Sequence, residues 1–148
     1  MKVHIQSLEQ TRECAARIAA ACKPGDVIGL IGDLGAGKTE FVRGFVHFFD
    51  ENAGVRSPSF SLVNSYETVR FPIHHFDFYR LGSPDELIEI GFDEYMEGEG
   101  VCLIEWADMF SDVLPENTFY IHFTSIGQYQ RTLEIDDRLA EDVRLQDF

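Results

Sequence analysis

The segment GDLGAGKT at residues 32–39 restricts the possible fold more than any other part of the chain. It matches G-x-x-x-x-G-K-[ST], the phosphate-binding loop of nucleoside triphosphatases. Residues 26–31 before it form a short apolar run of strand type, and residues 38–50 after it have the pattern of a helix. This order of strand, loop and helix is the one the motif requires, so we predict an α/β fold.

The chemistry of phosphate binding explains the spacing of the loop. Gly35 and Gly37 allow the backbone to turn and to direct amide N–H groups at an anion. Lys38 is predicted to bridge the β- and γ-phosphates, and the Thr39 hydroxyl to bind Mg²⁺. The alternative is a glycine-rich turn that binds nothing, but such a turn has no use for a lysine followed by a hydroxyl. The predicted nucleotide contacts of the loop are Asp33, Gly35, Ala36, Gly37, Lys38 and Thr39.

Length and charge limit the class of protein. The 148 residues include 13 phenylalanines, which supply a core for one domain over residues 1–148 with an acidic, helical tail at 136–148. The net charge is -14, which disfavours direct binding to nucleic acid because that affinity comes largely from Lys and Arg. It also requires Mg²⁺ to screen a bound nucleotide.

Cysteine usage and hydropathy predict a cytoplasmic protein. Cys14, Cys22 and Cys102 lie within predicted helices and a strand, as small core residues of a reducing compartment do. No Cys or His spacing indicates zinc. No apolar run approaches 18 residues, so no membrane span is expected.

The remaining pattern alternates strands and helices. Ser7 and Gln10 form a capping box that begins a helix, which ends near Cys22 before Pro24 and Gly25. An edge strand is predicted at 2–6. Two hairpins are predicted: the first pairs a strand that ends at residue 67 with a strand at 73–79, and the second pairs strands at 118–126 and 129–135. A short helix from 83 to Gly91 and a strand at 101–105 lie between them.

The first helix carries one candidate nucleotide contact. Thr11 lies on the same helical face as Leu8 and Ala15. A helix that packs on the core is the favoured interpretation, and the alternative is that it covers the adenine side of the nucleotide.

Two carboxylates are candidates for the chemistry. Glu105 ends an apolar strand, where a P-loop protein presents its second Mg²⁺ group; the alternative is a buried strand whose last residue reaches solvent. Asp77 is then available to orient or deprotonate the attacking water, although the two roles are exchangeable. His74 and His75 are neighbours on a strand and point to opposite faces, which favours structural roles.

The loop at 57–61 is rich in hydroxyls and admits two interpretations of equal weight, a γ-phosphate sensor or an ordinary hairpin entry. No arginine is placed as a finger; Arg80 is the nearest candidate and Arg56 the next. We therefore expect slow intrinsic hydrolysis with a partner that completes the site.

Four blocks, at residues 32–39, 57–63, 75–80 and 103–106, together resemble the TsaE family, the small ATPase of bacterial tRNA threonylcarbamoyladenosine modification. The similarity extends over about residues 5–135. The resemblance implies a single-domain P-loop fold with a mixed sheet, ATP and Mg²⁺ as ligands, and weak activity. It also implies a complex with two partner proteins of kinase-like fold that modify adenosine 37 of tRNA, with tRNA contacted only through them.

By position, the resemblance implies phosphate and Mg²⁺ binding for Lys38 and Thr39, a metal role for Glu105, a catalytic role for Asp77, and a place beside the nucleotide for Trp106. Three functions compete: an ATPase that drives or resets a modifying complex, a non-catalytic module whose nucleotide state sets partner affinity, and a small-molecule kinase. The kinase is disfavoured because no arginine-rich acceptor lid is present.

Overall fold

The computed structural model describes residues 1–58 and 61–141. They form seven strands and five α-helices. The strands are β1 (Lys2–Ile5), β2 (Val27–Ile31), β3 (Val63–Tyr66), β4 (Ile73–Asp77), β5 (Val101–Glu105), β6 (Phe119–Ser125) and β7 (Arg131–Ile135). The helices are α1 (Leu8–Ala21), α2 (Lys38–His47), α3 (Asp85–Glu89), α4 (Phe92–Glu97) and α5 (Asp137–Ala140).

All seven strands belong to one sheet in the order β1-β7-β6-β2-β5-β4-β3. The four central strands, β6, β2, β5 and β4, run parallel, whereas β3, β7 and β1 pair antiparallel at the two edges. The predicted α/β fold with a mixed sheet is confirmed. Because the central strands are parallel, their carboxyl ends meet at one edge, where loops of P-loop proteins bind ligands.

The two faces of the sheet have different cores. On one face α1 and α2 pack over residues such as Ile28 and Leu103. On the other face the short helices α3 and α4 pack over Phe76 and Ile104. Since neighbouring residues of a strand point to opposite faces, β5 contributes Leu103 to one core and Ile104 to the other.

Helices α1 and α2 approach each other closely at a glycine. A Cβ atom built on Gly44 would lie 2.5 Å from the carbonyl oxygen of Arg12. Only a residue without a side chain permits this crossing, so Gly44 fixes the position of the helix that begins at Lys38.

The start of α1 confirms a cap of the predicted kind. The Ser7 hydroxyl accepts a hydrogen bond from the Gln10 amide at 3.2 Å. The Gln10 side chain accepts from the amide of Gln6 at 2.7 Å, one residue before the cap. Both bonds satisfy N–H groups at the helix entrance.

Several predicted elements are shorter in the structure. Helix α2 ends at His47 rather than at residue 50, and β4 ends at Asp77 rather than at residue 79. The Asp77 carboxylate causes the second difference, because it accepts a hydrogen bond from the Tyr79 amide at 2.9 Å and begins a 3₁₀ turn over Phe78–Arg80.

The three cysteines are free and buried, as expected for core residues. Burial raises the pKa of each thiol to about 12. Of the predicted tail, α5 is helical, and residues 142–148 lie outside the described residues. Within the described ranges, no helix has the length and apolar character needed to cross a membrane.

Candidate nucleotide-binding site

The phosphate loop connects β2 to α2 at the carboxyl edge of the sheet. Gly35 and Gly37 have φ angles of 79° and 103°, in the left-handed region that glycine adopts without strain. Gly32 is required for a different reason, since a Cβ atom there would lie 2.7 Å from the carbonyl oxygen of Phe123 on β6. The glycines of the motif therefore serve both the turn and the close approach of β6.

Lys38 lies inside the cleft with only 4% of its surface exposed. Its Nζ donates to the carbonyl oxygens of Gly32 and Asp33, the latter at 2.9 Å, and lies 4.0 Å from the centre of the Trp106 ring. Burial lowers the pKa of Lys38, while the carboxylates of Glu105 and Asp77 oppose that change. The backbone carbonyls of the phosphate loop thus hold the Lys38 ammonium in place.

The Thr39 hydroxyl and the Glu105 carboxylate are in direct contact. Thr39 Oγ1 donates to Glu105 Oε1 at 3.1 Å and Oε2 at 3.2 Å, across 66 residues of sequence. Ser57 Oγ lies 3.3 Å from the same hydroxyl. The first turn of α2, the end of β5 and the loop before β3 therefore meet at one point.

His75 is the partner of Glu105 that the sequence does not reveal. Its Nε2 lies 2.6 Å from Glu105 Oε2, and both side chains are buried. Nδ1 of His75 has no hydrogen-bond partner among the described residues. His74 faces the other way and contacts Ser65 Oγ at 2.7 Å through Nδ1, so the two histidines do not form a metal pair.

Asp77 is the carboxyl-terminal residue of β4 and pairs in register with Glu105 on β5. Side chains in register on neighbouring parallel strands point to the same face, so both carboxylates border the same cleft. Burial raises the pKa of Asp77 and the neighbouring Glu105 charge adds to this, while the hydrogen bond from the Tyr79 amide opposes it. A raised pKa makes the carboxylate a better proton acceptor.

Trp106 follows Glu105 with a φ of 58°, which is uncommon for a residue with a side chain. Its ring lies 4.9 Å from that of Tyr79, centre to centre. This backbone conformation turns the indole over Lys38 at the entrance of the cleft.

Arg131, like His75, has a role that the sequence does not reveal, and it lies at the phosphate loop. It is 7% exposed and donates to the carbonyl oxygens of Gly35 and Ala36, both at 3.0 Å. Ninety-five residues separate Arg131 from Ala36 in the chain. The only signal in the sequence is a cation near the start of the strand predicted at 129–135.

These groups line one cleft of about 490 Å³, within the range of small-molecule sites. The predicted residues that line it are Gly35, Ala36, Gly37, Lys38, Thr39, Asp77, Glu105 and Trp106, and Arg80 lies there as well. Asp33 and Thr11, both described, are not part of the lining. Thr11 is 1% exposed and donates to the Ser7 carbonyl oxygen, so its side chain packs in the interior. Helix α1 borders the cleft with Leu8 instead.

The donor set is compatible with a nucleotide-bound magnesium ion. The described residues contain no group of three or more His, Cys, Asp or Glu side chains suited to a metal ion. Magnesium in nucleotide sites needs only one or two protein oxygens, since phosphates and water supply the rest. The Thr39 hydroxyl and the Glu105 carboxylate are such oxygens.

A family model described as "Threonylcarbamoyl adenosine biosynthesis protein TsaE" matches residues 5–133. The chain belongs to the TsaE family. Relatives with the name tRNA threonylcarbamoyladenosine biosynthesis protein TsaE include one from Bacillus subtilis, which is 41% identical over 84% of this chain and 78% of its own length. Another, from Treponema pallidum, is 32% identical over 91% of this chain and 99% of its own.

The TsaE fold is also found among solved structures. The crystal structure of Bacillus subtilis YdiB superposes with a TM-score of 0.81 and 34% identity, covering 96% of this chain and 92% of that one. The resemblance inferred from four sequence blocks over about residues 5–135 is thereby confirmed.

Proposed function

We propose that this TsaE protein binds ATP and hydrolyses it slowly as part of tRNA N6-threonylcarbamoyladenosine biosynthesis. The contact between Thr39 and Glu105 carries the proposal, since it joins the phosphate loop to the carboxyl end of a strand 66 residues away. The names of the family and of its relatives support the pathway.

We propose a task for each side chain that lines the cleft. Lys38 binds the β- and γ-phosphates, and the loop amides around Gly37 bind the β-phosphate. Asp77 orients the attacking water and accepts its proton, a role that suits its raised pKa. Trp106 covers the entrance and excludes water from Lys38.

Thr39 and Glu105 are the residues that would hold Mg²⁺. When bound, the ion supplies charge neutralisation at the phosphate oxygens. His75 donates a hydrogen bond to Glu105 from the core side and so keeps one carboxylate oxygen in a fixed direction.

The rate is expected to be low because, among residues 1–58 and 61–141, Arg80 is the only arginine on the open side of the cleft. Arg80 lines the cleft, whereas Arg131 is engaged with backbone carbonyls. A dedicated arginine finger contributes roughly 10³ to 10⁵ in rate. We propose that partner proteins of the pathway, two of them of kinase-like fold, order or complete the site, and that tRNA is contacted through them.

A non-catalytic role remains as a second candidate, because the same cleft would serve a module whose nucleotide state only sets partner affinity. Asp77→Asn and Glu105→Ala separate the two roles. We expect both variants to retain ATP binding by calorimetry and complex assembly by gel filtration, but to lose tRNA modification in a reconstituted assay.

Modification at the wild-type level by these variants would favour the binding module. The third candidate, a small-molecule kinase, predicts ATP consumption only after an acceptor metabolite is added. Basal turnover above about 1 s⁻¹ without partners would contradict slow intrinsic hydrolysis.

A further inference from the structure

Arg131 connects the phosphate loop to the turn between β6 and β7. An arginine side chain has five N–H donors, and every one of them is engaged here. Nε donates to the Ala36 carbonyl and Nη2 to that of Gly35, both at 3.0 Å. The other three bonds reach the carbonyl oxygens of Gly127, Gln128 and Gln130, at 2.8 to 3.3 Å.

Topology explains why this residue reaches the loop. Strand β6 lies beside β2, and β7 returns antiparallel to β6. The first residue of β7 is therefore at the carboxyl edge of the sheet, level with the loop that follows β2. Because β6 is the only strand between β7 and β2, the Arg131 side chain has to cross a single strand to reach the loop.

The charge of this side chain has no described counter-ion. All five acceptors are neutral main-chain oxygens, and among residues 1–58 and 61–141 no carboxylate forms an ion pair with Arg131. A buried charge is costly unless it is compensated. Arg131 lines the cleft, so an anionic phosphate there would supply the missing negative charge.

The two bonds to the loop also orient its peptide groups. In a trans peptide the C=O and the next N–H point in opposite directions. By holding the Ala36 carbonyl, Arg131 turns the Gly37 N–H to the opposite side. By holding the Gly35 carbonyl, it turns the Ala36 N–H away from the guanidinium, and that amide closes the loop by donating to the Asp33 carbonyl at 3.0 Å.

We propose that Arg131 is a positioning residue of the phosphate site, which fixes the peptides at 35–37 for phosphate binding and contributes positive charge behind them. The inference rests on the proposed nucleotide function. It adds that the turn at 127–130 and the phosphate loop behave as one unit held by a single guanidinium.

The test compares Arg131→Gln, Arg131→Lys and a matched control, Arg138→Gln. The control removes the same charge from an exposed arginine that contacts Asp136 and Thr118 away from the cleft. In titration calorimetry with ATP and Mg²⁺, we expect Arg131→Gln to weaken binding at least tenfold. Arg131→Lys should bind at least threefold more tightly than Arg131→Gln, and Arg138→Gln should stay within twofold of wild type.

Salt dependence distinguishes the electrostatic role from a purely structural one. The slope of log affinity against log salt should become shallower in Arg131→Gln and remain unchanged in Arg131→Lys and Arg138→Gln, because only the first variant removes charge at the phosphates. An unchanged slope together with ATP affinity within twofold of wild type would overturn the proposal.

If Arg131→Gln fails to fold, hydrogen exchange on Arg131→Lys decides. Amides at 35–37 and at 127–130 should then exchange faster together than in wild type, and unchanged exchange in both segments would refute the coupling. Failure of wild type to bind ATP would instead refute the proposed function, so the two failures are distinguishable.

Discussion

The two halves of the cleft are built in different ways. The phosphate half is one continuous segment, from the end of β2 through Gly37 and Lys38 into α2. The half that carries the carboxylates is assembled from the ends of β4 and β5, where Asp77 and Glu105 pair in register. The first half is positive and backbone-rich, whereas the second is negative and consists of side chains.

This difference separates binding from chemistry. A continuous loop with glycines at φ values of 79° and 103° is determined locally. In the proposed function it binds phosphate with main-chain groups. The carboxylate half depends on which strands are neighbours. Changes in the first half should therefore affect affinity, and changes in the second should affect turnover.

The largest effect is expected from Lys38→Ala, which removes the cation of the phosphate half. We expect ATP affinity to fall about 100-fold or more, close to 3 kcal/mol, as measured by calorimetry. Lys23→Ala, at an exposed lysine outside the cleft, is the control and should bind as wild type does. Retention of affinity within tenfold in Lys38→Ala would refute the assignment of Lys38.

Gly44→Ala tests the close crossing of α1 and α2, which positions the helix that follows the phosphate loop. Helix propensity alone favours alanine by about 1 kcal/mol. The new Cβ atom would meet the backbone of Arg12, which cannot move as a flexible side chain does, and overpacking costs about 1 to 3 kcal/mol. We expect a net loss of up to about 2 kcal/mol in urea unfolding, because a clash with backbone atoms puts the packing cost at the upper end of its range and above the gain in propensity.

The matched control for this variant is Gly54→Ala, where a Cβ atom has no neighbour within 4 Å. It should leave the free energy of unfolding within about 0.5 kcal/mol of wild type. Equal stability of the two variants would show that the helix crossing tolerates a methyl group.

His75→Leu tests the carboxylate half. The variant removes the hydrogen bond to Glu105, a charge-assisted bond worth roughly 1.5 to 3 kcal/mol. We expect turnover at saturating ATP and Mg²⁺ to fall about tenfold, or about 1.4 kcal/mol, with ATP affinity little changed. His75→Gln, which retains a donor, should recover part of the rate.

His74→Gln is the control for that prediction, because its side chain lies on the opposite face of β4. It should turn over ATP as wild type does. Equal turnover in His75→Leu and His74→Gln would show that Glu105 needs no support from the core.

The smallest effect is expected from Glu40→Gln, in the first turn of α2. Glu40 bonds Arg12 of α1 and Arg43 of α2, and although burial raises its pKa, the hydrogen bonds from these arginines lower it overall. Because the pKa of Glu40 is lower in the folded state than in the unfolded state, its ionisation stabilises the folded protein at pH values above the unfolded-state pKa of about 4.3. We expect the variant to lose about 0.5 to 1 kcal/mol at pH 7.

That loss should disappear as the pH falls through the folded-state pKa, because the carboxylate of the wild type is then protonated. Urea unfolding at a series of pH values from 7 to 3 measures the difference. Glu13→Gln is the control, since Glu13 forms an exposed i,i+4 pair with Arg17. A pH-independent difference for Glu40→Gln would indicate a packing effect.

Local features were predictable because neighbouring residues determine them. The motif at 32–39, the cap at Ser7 and the apolar strand at 101–105 were all confirmed as elements of the structure. Strand β4 ends two residues before the predicted end, because the Asp77 side chain accepts a hydrogen bond from the Tyr79 amide and diverts the backbone. Helical periodicity does not distinguish a face that borders a cleft from one that packs in the core, and Thr11 is buried.

His75 and Arg131 show what sequence reasoning lacks. Each contributes through a partner far along the chain, Glu105 for the histidine and the carbonyls of Gly35 and Ala36 for the arginine. No local pattern connects such positions.

The phosphate loop, its lysine and hydroxyl, and the apolar strand that ends in Glu105 can be recognised in the amino-acid sequence, because each depends on contacts within a few residues. The parallel register of β4 and β5 and the return of β7 beside the loop become visible only in the folded chain. The strand order places β5 and β4 on one side of β2 and β6 and β7 on the other, with a separate core on each face of the sheet. This order brings Asp77, Glu105 and Arg131 to the loop that follows β2, and no local sequence pattern encodes pairings between such distant segments.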